Sequence, residues 1–286
     1  MTYLVLSILF SSVIFVVFKL FQRYGVETLY AIITNYVVAC AIGFYFYEGS
    51  VPLSSVPKKP WFWGTFMLGA LFILVFNLMA ATAQKVGVSV ASVATKMSLV
   101  IPVVFGVFAY QETLGPLKIL GIVLALGAVY FASVKASTSI NGNALLLPIL
   151  VFIGSGLIDT SLKYLQEVYI AEKEYALFSA LVFGSAGAIG LLLILLRGIR
   201  TSLSINIKNM VGGVVLGVPN YFSIYFLLKA LQNDTLNSAS VFTINNVAIV
   251  MVSTCLGIVL FKESVSPKNW GGIVLAVISI ILVAFF

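Results

Sequence analysis

Residues 110–128 read YQETLGPLKILGIVLALGA, and residues 261–279 read FKESVSPKNWGGIVLAVIS. Adding 151 to a number in the first stretch gives its counterpart in the second. Glu112 falls on Glu263, Pro116 on Pro267, Gly121 on Gly272, and Val123-Leu124-Ala125 on Val274-Leu275-Ala276. Just upstream, Gly106 and Gly257 keep the same register. A second register, offset by 144, places Ser11 on Ser155, Ile14 on Ile158, Lys19 on Lys163 and Gln22 on Gln166. The chain is one design written twice, and each copy ends as apolar helix, carboxylate, tight turn and apolar helix.

The composition says where such a design can fold. Of 286 residues, 61% are hydrophobic and 9% are charged, against about a quarter charged in soluble proteins. A membrane-spanning helix takes roughly 20 apolar residues. Runs bounded by charges, Gly and Pro predict ten of them, at about 2–18, 28–47, 61–82, 88–109, 113–134, 144–165, 176–196, 210–231, 236–260 and 268–286. The expected class is an all-α integral membrane protein of ten transmembrane helices in two five-helix repeats, 1–135 and 143–286. The stretch from Ser133 to Asn143 joins them, with Asn143 as a candidate cap of the sixth helix. Five is an odd number, so the second repeat must enter the bilayer inverted relative to the first. Inverted repeats place a binding site between the halves near the bilayer midplane.

The net charge of +7 is spread over short loops without a basic stripe, which reads as membrane-surface charge and excludes nucleic acid as a partner. Cys40 and Cys255 lie in separate apolar runs and read as buried thiols rather than a disulfide. The apolar run beginning at residue 2 has no basic segment before it and no small-residue cleavage site, predicting a retained first helix. For orientation, the odd-numbered connections carry nine cations (Lys19, Arg23, Lys85, Lys135, Arg197, Arg200, Lys208, Lys262 and Lys268) against six in the even ones. That count leans toward termini outside.

The doubled hairpin resembles the EamA domain of the drug/metabolite transporter superfamily, occurring twice and covering essentially the whole chain. Lys19 and Lys163, near the ends of helices one and six, resemble the lysine often found there in both EamA repeats. Pro102 resembles the proline of the family's fourth helix, but its counterpart is Ser253, so the second hairpin is expected to bend differently. The resemblance implies a secondary transporter, often an exporter, of small metabolites by alternating access, in the inner or plasma membrane. It also implies cytoplasmic termini, against the charge count. It does not name a substrate.

Ionisable groups inside a span cost on the order of 2.5–3.5 kcal/mol by insertion scales, so each needs a reason. Lys96 lies about eight residues into the fourth helix, roughly 12 Å deep at 1.5 Å per residue. The 151 register pairs Ala94-Thr95-Lys96 with Asn245-Asn246-Val247, so both halves carry polar groups at equivalent depth. A cation there favours a cargo with a carboxylate, including a zwitterion; the alternative is a lysine tied to helix carbonyls or an internal acid. Asp159 has Lys163 one turn later on the same face, and either Lys163 or Lys96 would favour its charged form. It reads either as half of an internal ion pair or as a proton-coupling carboxylate, with protons then the coupling ion. Pro219-Asn220-Tyr221 and Asn77 are further pocket candidates, each also readable as interhelical glue. Asn35 and Tyr36 are similar but weaker.

Glu112 and Glu263 each end a helix. Gly115-Pro116 and Ser266-Pro267 supply a cap residue and a proline at the first turn of the next. Both carboxylates read as structural, bound to neighbouring amides or to Lys118 and Lys262, and Pro116, Pro267, Gly121, Gly272, Lys19 and Lys163 are placed with them. The runs Gly184-Ser185-Ala186-Gly187 and Gly213 to Gly217 read as close-packing surfaces, and Trp61, Trp63 and Trp270 as interfacial anchors.

The sequence holds no histidine, which removes Ser-His hydrolysis, His-based zinc sites and the usual general base. No Gly-rich phosphate loop, paired intramembrane aspartates or metal-spaced cysteines appear, so neither an enzyme, a metal nor a cofactor is expected. The expected partners are a small-molecule substrate and the lipid bilayer. The competing readings are a flippase of lipid-linked sugar and a non-transporting receptor or structural membrane protein.

Overall fold

The structure is a computed structural model and describes residues 1–47, 49, 51–110, 115–133, 142–171, 174–198, 206–231 and 238–285. Glu112 and the connection 134–141 lie outside the described residues. Helix follows helix through the chain: α1 (Thr2–Tyr24), α2 (Thr28–Tyr45), α3 (Phe62–Lys85), α4 (Val88–Met97), α5 (Val100–Tyr110), α6 (Pro116–Ser133), α7 (Gly142–Tyr169), α8 (Tyr175–Gly198), α9 (Ile207–Leu231), α10 (Ser238–Phe261) and α11 (Pro267–Phe285). Among the described residues, nine segments are long and apolar enough to cross a membrane, and 116–132 is a shorter apolar helix. These are the ten segments the sequence predicts.

One span departs from its expected form. Residues 88–109 are not a single helix but α4 and α5, separated at Ser98-Leu99. Pro102 is the cause. It has no N–H to give the Ser98 carbonyl four residues back, and its ring crowds that turn. Ile101 instead reaches the Ser98 carbonyl in a tighter bond of 2.9 Å. In the second repeat Ser253 stands in that register, and α10 runs unbroken from Ser238 to Phe261. The two hairpins differ, as the missing proline predicts. The α9 helix runs on through Pro219.

Ten crossings put both termini at one end of the bundle, here the termini end, and side-chain contacts agree with the alternation. Lys59 meets Glu174 at the termini end. Lys19 meets Gln84, the Glu27 amide meets Asn209, and Asn269 meets Phe131 and Ala132 at the far end. Every pair joins segments that the up-and-down path brings to the same end.

The halves interlock crosswise. Helix two of each repeat lies on helix three of the other, as α2–α9 and α3–α8, and the closing helices α6 and α11 lie together. Lipid gives no hydrophobic drive for helix association, so close approach has to come from small residues. A Cβ on Gly213 would stand 2.3 Å from Thr34 Cβ, and one on Gly69 2.7 Å from the Ala186 amide. At the α6–α11 crossing, a Cβ on Gly272 would meet the Ala132 amide at 2.4 Å and one on Gly121 would meet Leu282 Cβ at 2.9 Å. Pro267 opens α11 after a reciprocal cap, with the Ser266 amide on Asn269 Oδ1 (3.0 Å) and the Asn269 amide on Ser266 Oγ (3.2 Å).

Trp61 is a correction. Expected at the interface, it is fully buried, with its indole N–H on Glu174 Oε2 at 2.8 Å. Trp63 and Trp270 remain exposed. Cys40 and Cys255 are free, and Cys255 is exposed rather than buried.

Candidate functional site

The break in the fourth span lies where a pocket between inverted repeats is expected, and it gathers the intramembrane charges. Lys96 occupies the last turn of α4. Asp159 lies on α7, and the two act on each other through space without forming an ion pair. Ser98, at the break itself, has its hydroxyl 3.3 Å from Asp159 Oδ2 and 2.6 Å from the Thr95 carbonyl oxygen. A discontinuous helix with free backbone ends beside opposite charges is how several transporter folds build a midplane site.

Asp159 is enclosed by protein, yet its side chain keeps accessible surface. A carboxyl group facing lipid would carry the full cost of an intramembrane charge. Its accessible surface therefore faces an internal cleft. One turn back on the same face of α7 stands Ser155, 6% exposed, whose Oγ has no hydrogen-bond partner. The cleft wall thus presents a cation and a carboxyl group, while the Ser155 hydroxyl is buried within the protein.

The cleft is closed at the far end. At the far end α1 lies against α3 and α4. That seam is held by the Lys19 ammonium on the Gln84 carbonyl oxygen (2.8 Å) and by Gln84 Nε2 on the Phe18 carbonyl oxygen (3.0 Å). Among the described residues, α7 packs mainly on α3, α4, α5 and α6 rather than on α9 or α10. The described part of the bundle is sealed at the far end.

The other expected site residues are placed differently. Asn245 is buried and accepts from Ser7 Oγ at 3.2 Å. Asn220 is buried and donates to Asn35 Oδ1 at 3.1 Å, tying α9 to α2. Asn77 donates to the Ile73 carbonyl of its own helix at 2.8 Å. Asn246 is half-buried. Tyr221 stacks on Phe46 and Tyr225, with ring centroids 6.0 and 6.1 Å away. Lys163 is half-buried one turn beyond Asp159, but the cation facing that carboxyl from across the cleft is Lys96.

Sequence reasoning missed Ser98, although Pro102 without a counterpart marked the break it sits in. It also missed the buried Glu174, which Lys59 meets at 2.6 Å. Glu263 does bind backbone amides, but in the other repeat: its Oε1 accepts from the Val88 N–H at 2.8 Å.

Three likenesses bear on this arrangement. Residues 1–134 match the EamA-like transporter family. An uncharacterized protein of Haemophilus influenzae (strain Rd) is 27% identical over 290 residues, covering 97% of this chain and 95% of that one. A crystal structure of a protein 16% identical in sequence superposes with a TM-score of 0.64, over 98% of this chain and 94% of that chain, which is a likeness of fold.

Proposed function

We propose that this chain, an EamA-like transporter by its match over residues 1–134, carries a small zwitterionic or anionic metabolite across the membrane through the cleft at Lys96 and Asp159. It is a multi-pass membrane transporter with a small-molecule cargo. The finer reading rests on one observation. Lys96, in the last turn of α4, and Asp159, on α7, act on each other through space without forming an ion pair. An unbridged cation and carboxyl group in a low-dielectric cleft are each short of a partner, and a cargo bearing a carboxylate and an ammonium completes both.

The repeats 1–135 and 143–286 are the units that rock, and the α2–α9 and α3–α8 seams are the surfaces about which they turn. The far-end closure by α1 on α3 and α4 favours loading from the termini side. With cytoplasmic termini in an inner or plasma membrane, cargo enters from the cytoplasm and leaves the cell. Asn246 and Tyr221 border the route, and Asn245, Asn220 and Asn77 act there only by giving up the bonds they now make.

Asp159 is the proton carrier. The single Ser98 proton serves the nearer acceptor, the Thr95 carbonyl oxygen at 2.6 Å. A proton on the Asp159 carboxyl completes the second contact, at 3.3 Å, with no rearrangement. Proton exchange at Asp159 then alternates with cargo binding at Lys96.

The test is untargeted mass spectrometry of the medium from cells making the wild type, set against equal amounts of membrane-inserted Lys96→Ala. A zwitterion or acid enriched outside for the wild type alone supports the reading. Equal enrichment for both removes Lys96 from the route. No enrichment over empty cells rejects export, and a lipid-linked sugar reversed between leaflets would favour the flippase.

A further inference from the structure

The α4 helix is held at both ends by charges the rest of the bundle supplies or meets. Lys96 stands in its last turn. At its first turn the Glu263 carboxylate, from the segment after α10, accepts the Val88 N–H (2.8 Å), the Ser89 hydroxyl (3.2 Å) and, at longer reach, the Ser89 N–H (3.5 Å). Those amides have no partner within the helix, and the positive end of its dipole favours an anion there. The contact crosses from one repeat to the other.

The carboxylate sits in a socket with glycine walls from both repeats. A Cβ on Gly257 would stand 2.7 Å from Glu263 Oε2, and one on Gly87 would stand 3.1 Å away. Gly87 also has φ +155°, a backbone conformation that side-chain-bearing residues rarely adopt. The Glu263 N–H is itself fixed on the Gly257 carbonyl oxygen at 3.2 Å. A carboxylate needed only to finish α10 requires no socket in the partner repeat.

We propose that Glu263 is the latch of the far-end gate: it holds α4 shut against α10 and positions Lys96 at the other end of the same rod, and it lets go when the far end opens. Ten residues of α4 lie between the socket and the break at Ser98-Leu99, where the chain can bend without breaking a regular helical bond. Lys96 is eight residues from Val88, about 12 Å along the rod, so a swing at Val88 moves Lys96 with it. The inference rests on the alternating-access reading above.

The test needs no cargo. In the full chain with Cys40→Ala and Cys255→Ser, one reporter is Ser92→Cys, fully buried on α4, and the control is Ser279→Cys, buried at the α6–α11 seam. In proteoliposomes, a membrane-impermeant maleimide is expected to label Ser92→Cys about tenfold faster when Glu263→Gln is added, the shift expected from losing one charge-assisted contact. Gly257→Ala, which keeps the carboxylate but fills its socket, should do the same, while Ser279→Cys stays unlabelled. Glu263→Asp should restore part of the protection. Unchanged Ser92→Cys labelling in both variants overturns the latch, and so does equal acceleration of Ser279→Cys, which reports general loosening. Transport by the wild type is measured separately. A latch without cargo movement defeats the cargo reading alone, and cargo movement without a latch defeats this inference alone.

Discussion

Ser98 Oγ lies 3.3 Å from Asp159 Oδ2 and 2.6 Å from the Thr95 carbonyl oxygen, so one hydroxyl links the end of α4 to α7. A serine has one proton to give and two lone pairs to receive with. The link therefore changes character with the state of the carboxyl group. When Asp159 holds a proton it donates to Ser98, and when it does not, Ser98 must choose between two acceptors. That makes the α4–α7 contact sensitive to protonation at the place where cargo is expected.

The first prediction is that Asp159→Asn separates coupling from movement. Asparagine keeps the size and can donate to Ser98, but it cannot exchange a proton. In proteoliposomes loaded with a mixture of zwitterionic metabolites, counterflow should continue while accumulation driven by a pH gradient disappears. Accumulation by Asp159→Asn equal to wild type would show that the proton passes elsewhere.

Lys96 gives the second. Removing its charge with Lys96→Met keeps the packing volume near that of the stem. It should cost about 1.5–3 kcal/mol of binding for a carboxylate cargo, or roughly tenfold to a hundredfold in affinity. Lys96→Arg should retain a measurable part. Ligand-induced shifts in melting temperature read this out, and a Lys96→Met shift equal to wild type would remove the charge from the site.

Pro102 gives the third. Pro102→Ala restores the amide that the Ser98 carbonyl lacks and should join α4 to α5. Proline inside a helix costs about 3 kcal/mol, so the variant should melt higher in detergent while its counterflow falls severalfold. A variant that melts higher and transports as well as wild type would show that the break is not needed.

How far the chain could be read in advance follows from what kind of information each feature uses. The spans are long apolar runs, and the inversion is a matter of parity, so both are local. Lys96 was legible because a lysine eight residues into an apolar run has few innocent explanations. Its partner was legible only as one of two pairings, since Asp159 could answer to Lys163 on its own helix or to Lys96, and the packing of α7 on α4 decides between them. Glu263 was readable as a helix-end carboxylate, whereas its donors on Val88 and Ser89 lie 175 and 174 residues away. Trp61 misled for the same reason. Tryptophan at a span end sits at the interface unless something buried takes its N–H, and Glu174 is 113 residues off.

That same Glu174 carries the last prediction. Its carboxylate receives the Lys59 ammonium at 2.6 Å and the Trp61 indole N–H at 2.8 Å, and Phe178 lies edge-on to the indole. The cluster pins the start of α3 to the start of α8 at the termini end. At the far end the Glu27 amide on Asn209 Oδ1, at 2.9 Å, pins α2 to α9 in the mirrored place. Both ties join seams about which the halves are proposed to turn, so they should set stability rather than the transport cycle. Trp61→Phe removes one donor from the Glu174 carboxylate and should cost about 1–3 kcal/mol. Glu174→Ala strands the indole N–H as well as the ammonium and should cost more. Lys59→Met should cost least, because the Lys59 side chain keeps 30% of its surface exposed and water screens its share of the pair. Thermal midpoints in detergent should fall in that order, while counterflow per folded molecule stays near the wild-type rate. A drop in counterflow without a drop in midpoint would move this cluster from the pivot to the gate.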